Sequence, residues 1–227
     1  MHIINPIYDY KSLSRESVEG KRLYQLPDGS KVHSVTTILD ATADKSGIYR
    51  WQKAVGMKKA TEIKVEAANR GTAMHTSLEK YVKKLDRTPG SNLVHQIGYK
   101  MADTIIGQGL EPYLDEVWGN EVSLFNPGLY AGTTDLVGVY SGQPAIVDFK
   151  QSNKPKAEEH LIEYKLQLCA YADAHNAMFG TKIKTGVVLI CTPKFEFQRI
   201  ILEGAEFSEY LDEWFNRIQS YYESLNK

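Results

Sequence analysis

Two β-prone runs that meet at a single turn constrain this chain more than any other feature. Residues 130–140 and 145–151 are rich in Val, Ile, Tyr and Thr, and Ser141-Gly142-Gln143-Pro144 between them is turn sequence. Runs joined so closely pair as antiparallel neighbours. Each carries ionisable residues in apolar surroundings: Asp135 before Leu136-Val137, and Asp148 and Lys150 after Ala145-Ile146-Val147. Strand side chains alternate, so Asp148 and Lys150 share one face while Phe149 enters the core on the other. The paired strand can bring Asp135 to the same face. Charges in a half-buried sheet need compensation. Two neighbouring carboxylates repel, and a hard divalent cation such as Mg²⁺ or Mn²⁺ relieves the repulsion with their oxygens as ligands. A lysine beside them can position or activate a water, or stabilise charge growing on a phosphorane-like transition state. Taken singly, each residue fits an exposed ion pair or a turn. Taken together across one turn, they point to hydrolysis at phosphorus.

The rest of the chain reads as mixed α/β. Pro27-Asp28-Gly29 separates residues 24–26 from 31–33 in the manner of a hairpin, and Ser34 is placed to cap a helix begun by Ile38-Leu39. Residues 47–69 read as a basic helix. Gly71 follows as a break or a close-contact point, and Met74, Leu78 and Val82 then form one helical stripe. A helix over 93–106, strands over 116–125, 184–191 and 195–202, and helices over 156–178 and 207–225 complete the expectation. The fold class is therefore α/β, a central mixed sheet flanked by helices, with an N-terminal arm of hairpin and helix over 1–69. Residues 70–227 form the core, and the two make one structural unit.

Composition narrows the class. The 227 residues are 42% hydrophobic and 24% charged, which excludes disordered, collagen-like and coiled-coil chains. No apolar run approaches the roughly 18 residues of a membrane span, and MHIINPIYDY has no signal-peptide pattern, so a soluble cytoplasmic protein is expected. The net charge of −1 argues against coating DNA by bulk attraction. The charge is nevertheless polarised: residues 45–70 hold seven basic and two acidic residues, and 203–223 hold six acidic and one basic. A basic arm suits a local phosphate groove, and equally a solvated helix face. Cys169 and Cys191 lie outside any CxxC pattern and are expected to be free, buried thiols.

Asp135 with Asp148-Phe149-Lys150 resembles the core of the PD-(D/E)xK nucleases, a restriction-endonuclease-like fold. Further matches resemble its RecB-like exonuclease branch: Gly132-Thr133-Thr134-Asp135; Gln167-Leu168-Cys169-Ala170-Tyr171 as a QxxxY helix motif; and Gly71-Thr72-Ala73-Met74-His75 with Glu79 one turn on. Ser34-Val35-Thr36-Thr37-Ile38-Leu39 with Trp51 is similar to a segment of mitochondrial and phage-encoded members. The resemblance implies catalytic roles for Asp135, Asp148 and Lys150. It implies one or two Mg²⁺ or Mn²⁺ ions on Asp135, Asp148, the Phe149 carbonyl and His75. Gln167 and Tyr171, four apart on one helix face, can hydrogen-bond a phosphate or hold Lys150 in place. Gln151 is expected to touch substrate, Glu79 to lie beside the site or in solvent, and Glu121 to face the metal or be exposed. Two unclustered cysteines cannot supply the four ligands of an iron–sulfur cluster, so none is expected. A Walker loop is also missing.

The expected substrate, by the same resemblance, is single-stranded DNA entered from a free end, in phage or bacterial replication, recombination or degradation. Trp51, Lys53, Lys58 and Lys59 are the arm's candidates for contacting that strand. The acidic C-terminal helix is a candidate dock for a basic protein partner. The alternatives are a non-catalytic nucleic-acid-binding module on a nuclease fold, and an endonuclease or flap nuclease.

Overall fold

The computed structural model describes residues 2–226. Its main sheet has six strands: β1 (Ile3–Ile4), β5 (Leu114–Asn126), β6 (Tyr130–Tyr140), β7 (Gln143–Gln151), β8 (Thr185–Cys191) and β9 (Phe197–Leu202), in spatial order β1-β5-β6-β7-β8-β9. β5, β6 and β7 form an antiparallel meander, β7 pairs with β8 in parallel, and β8 with β9 antiparallel. The parallel step needs a crossover, which α5 (Ile162–Phe179) supplies. The expected mixed α/β class is thus present. β6 and β7 turn through Ser141 and Gly142, with φ of 51° and 76°. Both residues are left-handed, as a two-residue hairpin with the native strand twist requires.

Helices cover both faces. On one, α3 (Met57–Val82) and α4 (Leu93–Ile105) pack Met74, Leu78, Val82, Met101 and Ile105 against Val147, Phe149 and Leu189. On the other, α1 (Val35–Thr42), α5 and α6 (Gly204–Leu225) pack Ile38, Leu168, Trp214 and Ile218 against Val137, Ile146, Val188 and Ile190. α5 lies between sheet and α6 and is apolar around much of its circumference, the pattern of a helix covered on both sides. The Ser34 hydroxyl caps α1 by accepting from the Thr37 N–H at 3.0 Å. No helix among the described residues is long and apolar enough to cross a membrane. Cys169 and Cys191 are both buried and free.

Several boundaries differ from expectation. The hairpin gains a third strand: β2 (Arg15–Val18) pairs with β3 (Lys21–Gln25), which pairs with β4 (Lys31–His33). The basic segment breaks earlier than expected, at Gly56 with φ 84°, between α2 (Ser46–Val55) and α3. α3 then runs straight through Gly71, which is a contact point: a Cβ there would sit 3.2 Å from Gln151 Cγ. α5 starts at Ile162 rather than 156. The Gln198 carboxamide takes the Lys156 carbonyl, the acceptor a helix starting there would use for its first turn. A single 3₁₀ turn, Glu158–His160, intervenes. Residues of the arm also enter the core, since β1 pairs with β5 and α1 shares a cluster with Trp214.

Candidate active site

The site forms where β6 and β7 part. Their ladder runs from Tyr140↔Gln143 to Leu136↔Val147 and ends there. Asp135 and Asp148 are the next residues along each strand, at the same register. β7 continues alongside β8, with Asp148↔Val188 and Lys150↔Ile190, so it stays supported after losing β6. In place of a ladder bond, the Phe149 N–H donates to Asp135 Oδ2 at 2.7 Å. On the other side of β6, the flanking pairs Asn120↔Leu136 and Val122↔Thr134 set Glu121 opposite Asp135. Three acids therefore stand in a row across three strands. Glu121 adopts φ 54°, a strained conformation for a non-glycine residue. Beside it the Asn120 amide donates to the Asp135 carbonyl at 2.7 Å.

α3 brings the imidazole. His75 Nδ1 lies 3.4 Å from Asp135 Oδ1, and the ring sits edge-on to Phe149. Ligand atoms of His75, Glu121 and Asp135 all fall within 4.8 Å of one another, a spacing that can hold a metal ion. Glu79 points instead to Lys83, with which it forms an ion pair. Lys150 contacts the buried Asp148 Oδ2 as an ion pair.

The electrostatics follow from crowding. Burial and the neighbouring Asp135 push the Glu121 carboxyl up to about 7. Burial likewise raises Asp148, with repulsion from Asp135 added and Lys150 opposing. Burial also works against ionised Asp135, yet His75, Lys150 and the Phe149 N–H outweigh it and hold that carboxyl below its usual range. Burial disfavours the His75 and Lys150 cations, and the carboxylates around them overcome it, so both pKa values rise. More negative charge is gathered than one lysine and one histidine neutralise comfortably. Carboxylate oxygens and one imidazole are a donor set suited to a divalent metal ion.

Other expected residues fall around this fork. Gln167 Nε2 donates to the Tyr171 hydroxyl at 3.1 Å, and Tyr171 is buried. Its ring fits only because residue 132 is glycine: a Cβ there would lie 2.7 Å from Tyr171 Cε1. Gln151 follows Lys150, and its Oε1 accepts from Arg70 Nε at 3.3 Å and Nη2 at 3.1 Å. The arm candidates are set apart. Trp51 is half-buried, Lys53, Lys58 and Lys59 are exposed, and α2 buries none of its residues. On α6, Glu206 pairs with Lys165 and Glu213 with Arg217, which occupies part of the expected acidic surface.

Sequence reasoning missed Arg70 and Tyr164. Arg70 is 4% exposed and also donates to Glu66 and Asn153, tying α3 to the chain after β7. It reads in the sequence as one more charge of the basic run. Tyr164 places its ring 5.3 Å from Lys150 Nζ. Its spacing of three from Gln167 was the available signal.

No family model matches the chain. It is similar to mitochondrial genome maintenance exonuclease 1 of Mus musculus, 23% identical over 215 residues that cover 86% of this chain and 60% of the mouse protein. The Homo sapiens protein of the same name is 22% identical over 210 residues, covering 85% of this chain and 58% of that one. The chain thus spans about three fifths of the length of these relatives. A solved structure named "putative exonuclease", from Eubacterium rectale, overlaps with a TM-score of 0.46 and 16% identity, covering 68% of this chain and 64% of the other. The chain is a mixed α/β fold whose forked sheet sets two acids and a lysine together, and over most of its length it is similar to the two mitochondrial exonucleases.

Proposed function

We propose that the protein is a metal-dependent deoxyribonuclease that hydrolyses phosphodiester bonds, preferring single-stranded DNA with a free end. The observation that carries this reading is the shared register of Asp135 and Asp148 at the end of the β6–β7 ladder, with Lys150 on the same strand face. The named activity of the mitochondrial relatives agrees with it.

In this reading Asp135, Asp148, the Phe149 carbonyl and His75, with Glu121 beside them, hold one or two Mg²⁺ or Mn²⁺ ions. When bound there, such an ion would supply Lewis-acid chemistry at the phosphate and would make water a better nucleophile. Lys150 Nζ, kept protonated by the acids, orients the attacking water and balances charge growing on the phosphate oxygens. Its place is fixed by the Asp148 carboxylate and the Tyr164 ring. Gln151 has its Oε1 occupied by Arg70, which leaves its amide N–H groups to donate to the strand. Gln167 and Tyr171 form the wall beside it. The arm lysines Lys53, Lys58 and Lys59 attract the polyanion from a distance, and Trp51 offers a ring for stacking.

The test is digestion of linear and circular single-stranded DNA by the wild type and by Lys150→Ala, with Mg²⁺, with Mn²⁺ and with chelator. Loss of linear DNA only with metal and only with wild type, the circle surviving, is the expected result. Cutting of the circle would replace the exonuclease with an endonuclease. Binding without cutting under every condition would leave a nucleic-acid-binding module.

A further inference from the structure

Beyond Lys150 the chain makes a second cationic position that the mechanism above does not use. Lys156 lies in the segment leaving β7, and this segment is held rigidly. The Ser152 N–H donates to the Cys191 carbonyl at 3.1 Å, the Ser152 hydroxyl to the Lys154 carbonyl at 2.7 Å, and Arg70 to the Asn153 side chain. At Lys156 the Gln198 carboxamide takes both backbone groups, accepting from the N–H at 2.7 Å and donating to the carbonyl at 2.9 Å. The backbone of this lysine is fixed by a side chain from β9, which is unusual support for a loop residue.

Its ammonium has no carboxylate partner within ion-pair distance among the described residues. It lies 5.9 Å from the centroid of the Tyr164 ring, the same ring that Lys150 Nζ approaches to 5.3 Å. Both ammonium groups lie within cation–π range of this one half-buried tyrosine, so a single ring faces two positive charges. Burial alone disfavours the Lys156 cation. An anion beside Lys156 would offset that cost. The ring also belongs to the flank of α5 that carries Gln167, so the position continues the line of the candidate site.

We infer that Lys156 and Tyr164 form a phosphate subsite, in which Lys156 takes the backbone phosphate next to the one at Lys150. This rests on the nuclease reading of Asp135, Asp148 and Lys150. The subsite fixes where along the strand cleavage falls, and Gln198 acts as its positioning residue through the backbone of Lys156.

The experiment measures kcat and KM on a thymidine oligonucleotide with Mg²⁺ for wild type, Lys156→Gln, Lys156→Ala and Lys156→Arg, over about 50 to 200 mM salt. Lys156→Gln and Lys156→Ala are expected to raise KM about tenfold with kcat within about threefold. The slope of log(kcat/KM) against log[salt] should become shallower by about 0.7, the share of one neutralised phosphate on a single strand. Lys156→Arg should restore both quantities. A purely structural role would lower the melting temperature and leave the salt slope alone. If both neutral variants keep the wild-type KM and slope while Lys150→Ala is inactive, the subsite is overturned and the nuclease reading stands. If wild type itself leaves the oligonucleotide intact, both fall.

Discussion

Lys150 and the arm lysines Lys53, Lys58 and Lys59 carry the same charge, and their surroundings make them different chemical groups. The Lys150 side chain is 20% exposed and faces two carboxylates at the end of a broken ladder. Water screens it little, so its removal leaves buried acids uncompensated. The arm lysines stand on exposed helix surface, and Lys59 pairs with the exposed Glu62 at 3.3 Å. Their field acts through solvent and salt, and one can substitute for another. A run of charges in a sequence therefore marks attraction. Chemistry comes from the isolated charge that a strand carries inward.

The histidines repeat the contrast inside the molecule. His75 is raised because carboxylates overcome its burial. His175 is fully buried among Tyr8, Tyr10, Trp118 and Phe179, bonded to Tyr10 and Thr181 with no acid partner among the described residues, and burial lowers its pKa to about 4.

The largest expected effect is at the fork. Asp135→Asn should lower hydrolysis of linear single-stranded DNA by about 10³-fold, with the melting temperature little changed. A variant within tenfold of wild type would erase the distinction between buried and exposed charge. His175 gives the next effect, and it is one of stability. Unfolded, it takes a proton near pH 6.5, whereas the folded chain resists until about pH 4. Between these values the unfolded state binds more protons. Stability is therefore full above about pH 6.5 and falls as the pH drops toward 4, by up to about 3 kcal/mol. Urea midpoints across this range should flatten in His175→Gln; an unchanged slope would place the acid sensitivity elsewhere. The smallest effect belongs to the arm. Lys58→Ala with Lys59→Ala should change stability by less than about 0.5 kcal/mol while making the salt slope of DNA binding shallower by roughly 0.7 for each phosphate the two lysines neutralise. An unaltered slope would remove the arm from the path of the strand.

The parts legible in the sequence are those decided by neighbours along the chain. The hairpin at Ser141-Gly142, the alternation around Asp148 and Lys150, and the Ser34 cap all depend on contacts a few residues long. What was not legible depends on distant groups. The start of α5 is set by Gln198, forty-two residues from Lys156, and the passage of α3 through Gly71 is set by packing against Gln151. β2 was invisible because Arg-Glu-Ser-Val is exposed throughout and has no apolar alternation. Glu121 could be placed on a strand but not opposite Asp135, because β5 carries irregularities that shift its register between Leu114 and Gly119. Arg70 reads as surface charge until the fold buries it.

The turn at Ser141 and Gly142 also works as a counter. Asp135 and Asp148 stand opposite because equal numbers of residues separate each from that bend, and strands measure in steps of two faces. One added residue there would keep every functional group in the chain, yet send Asp148 toward the opposite side of the sheet. The molecule's chemical identity is thus stored partly as an arithmetic of spacing, held by two residues that touch nothing in the site.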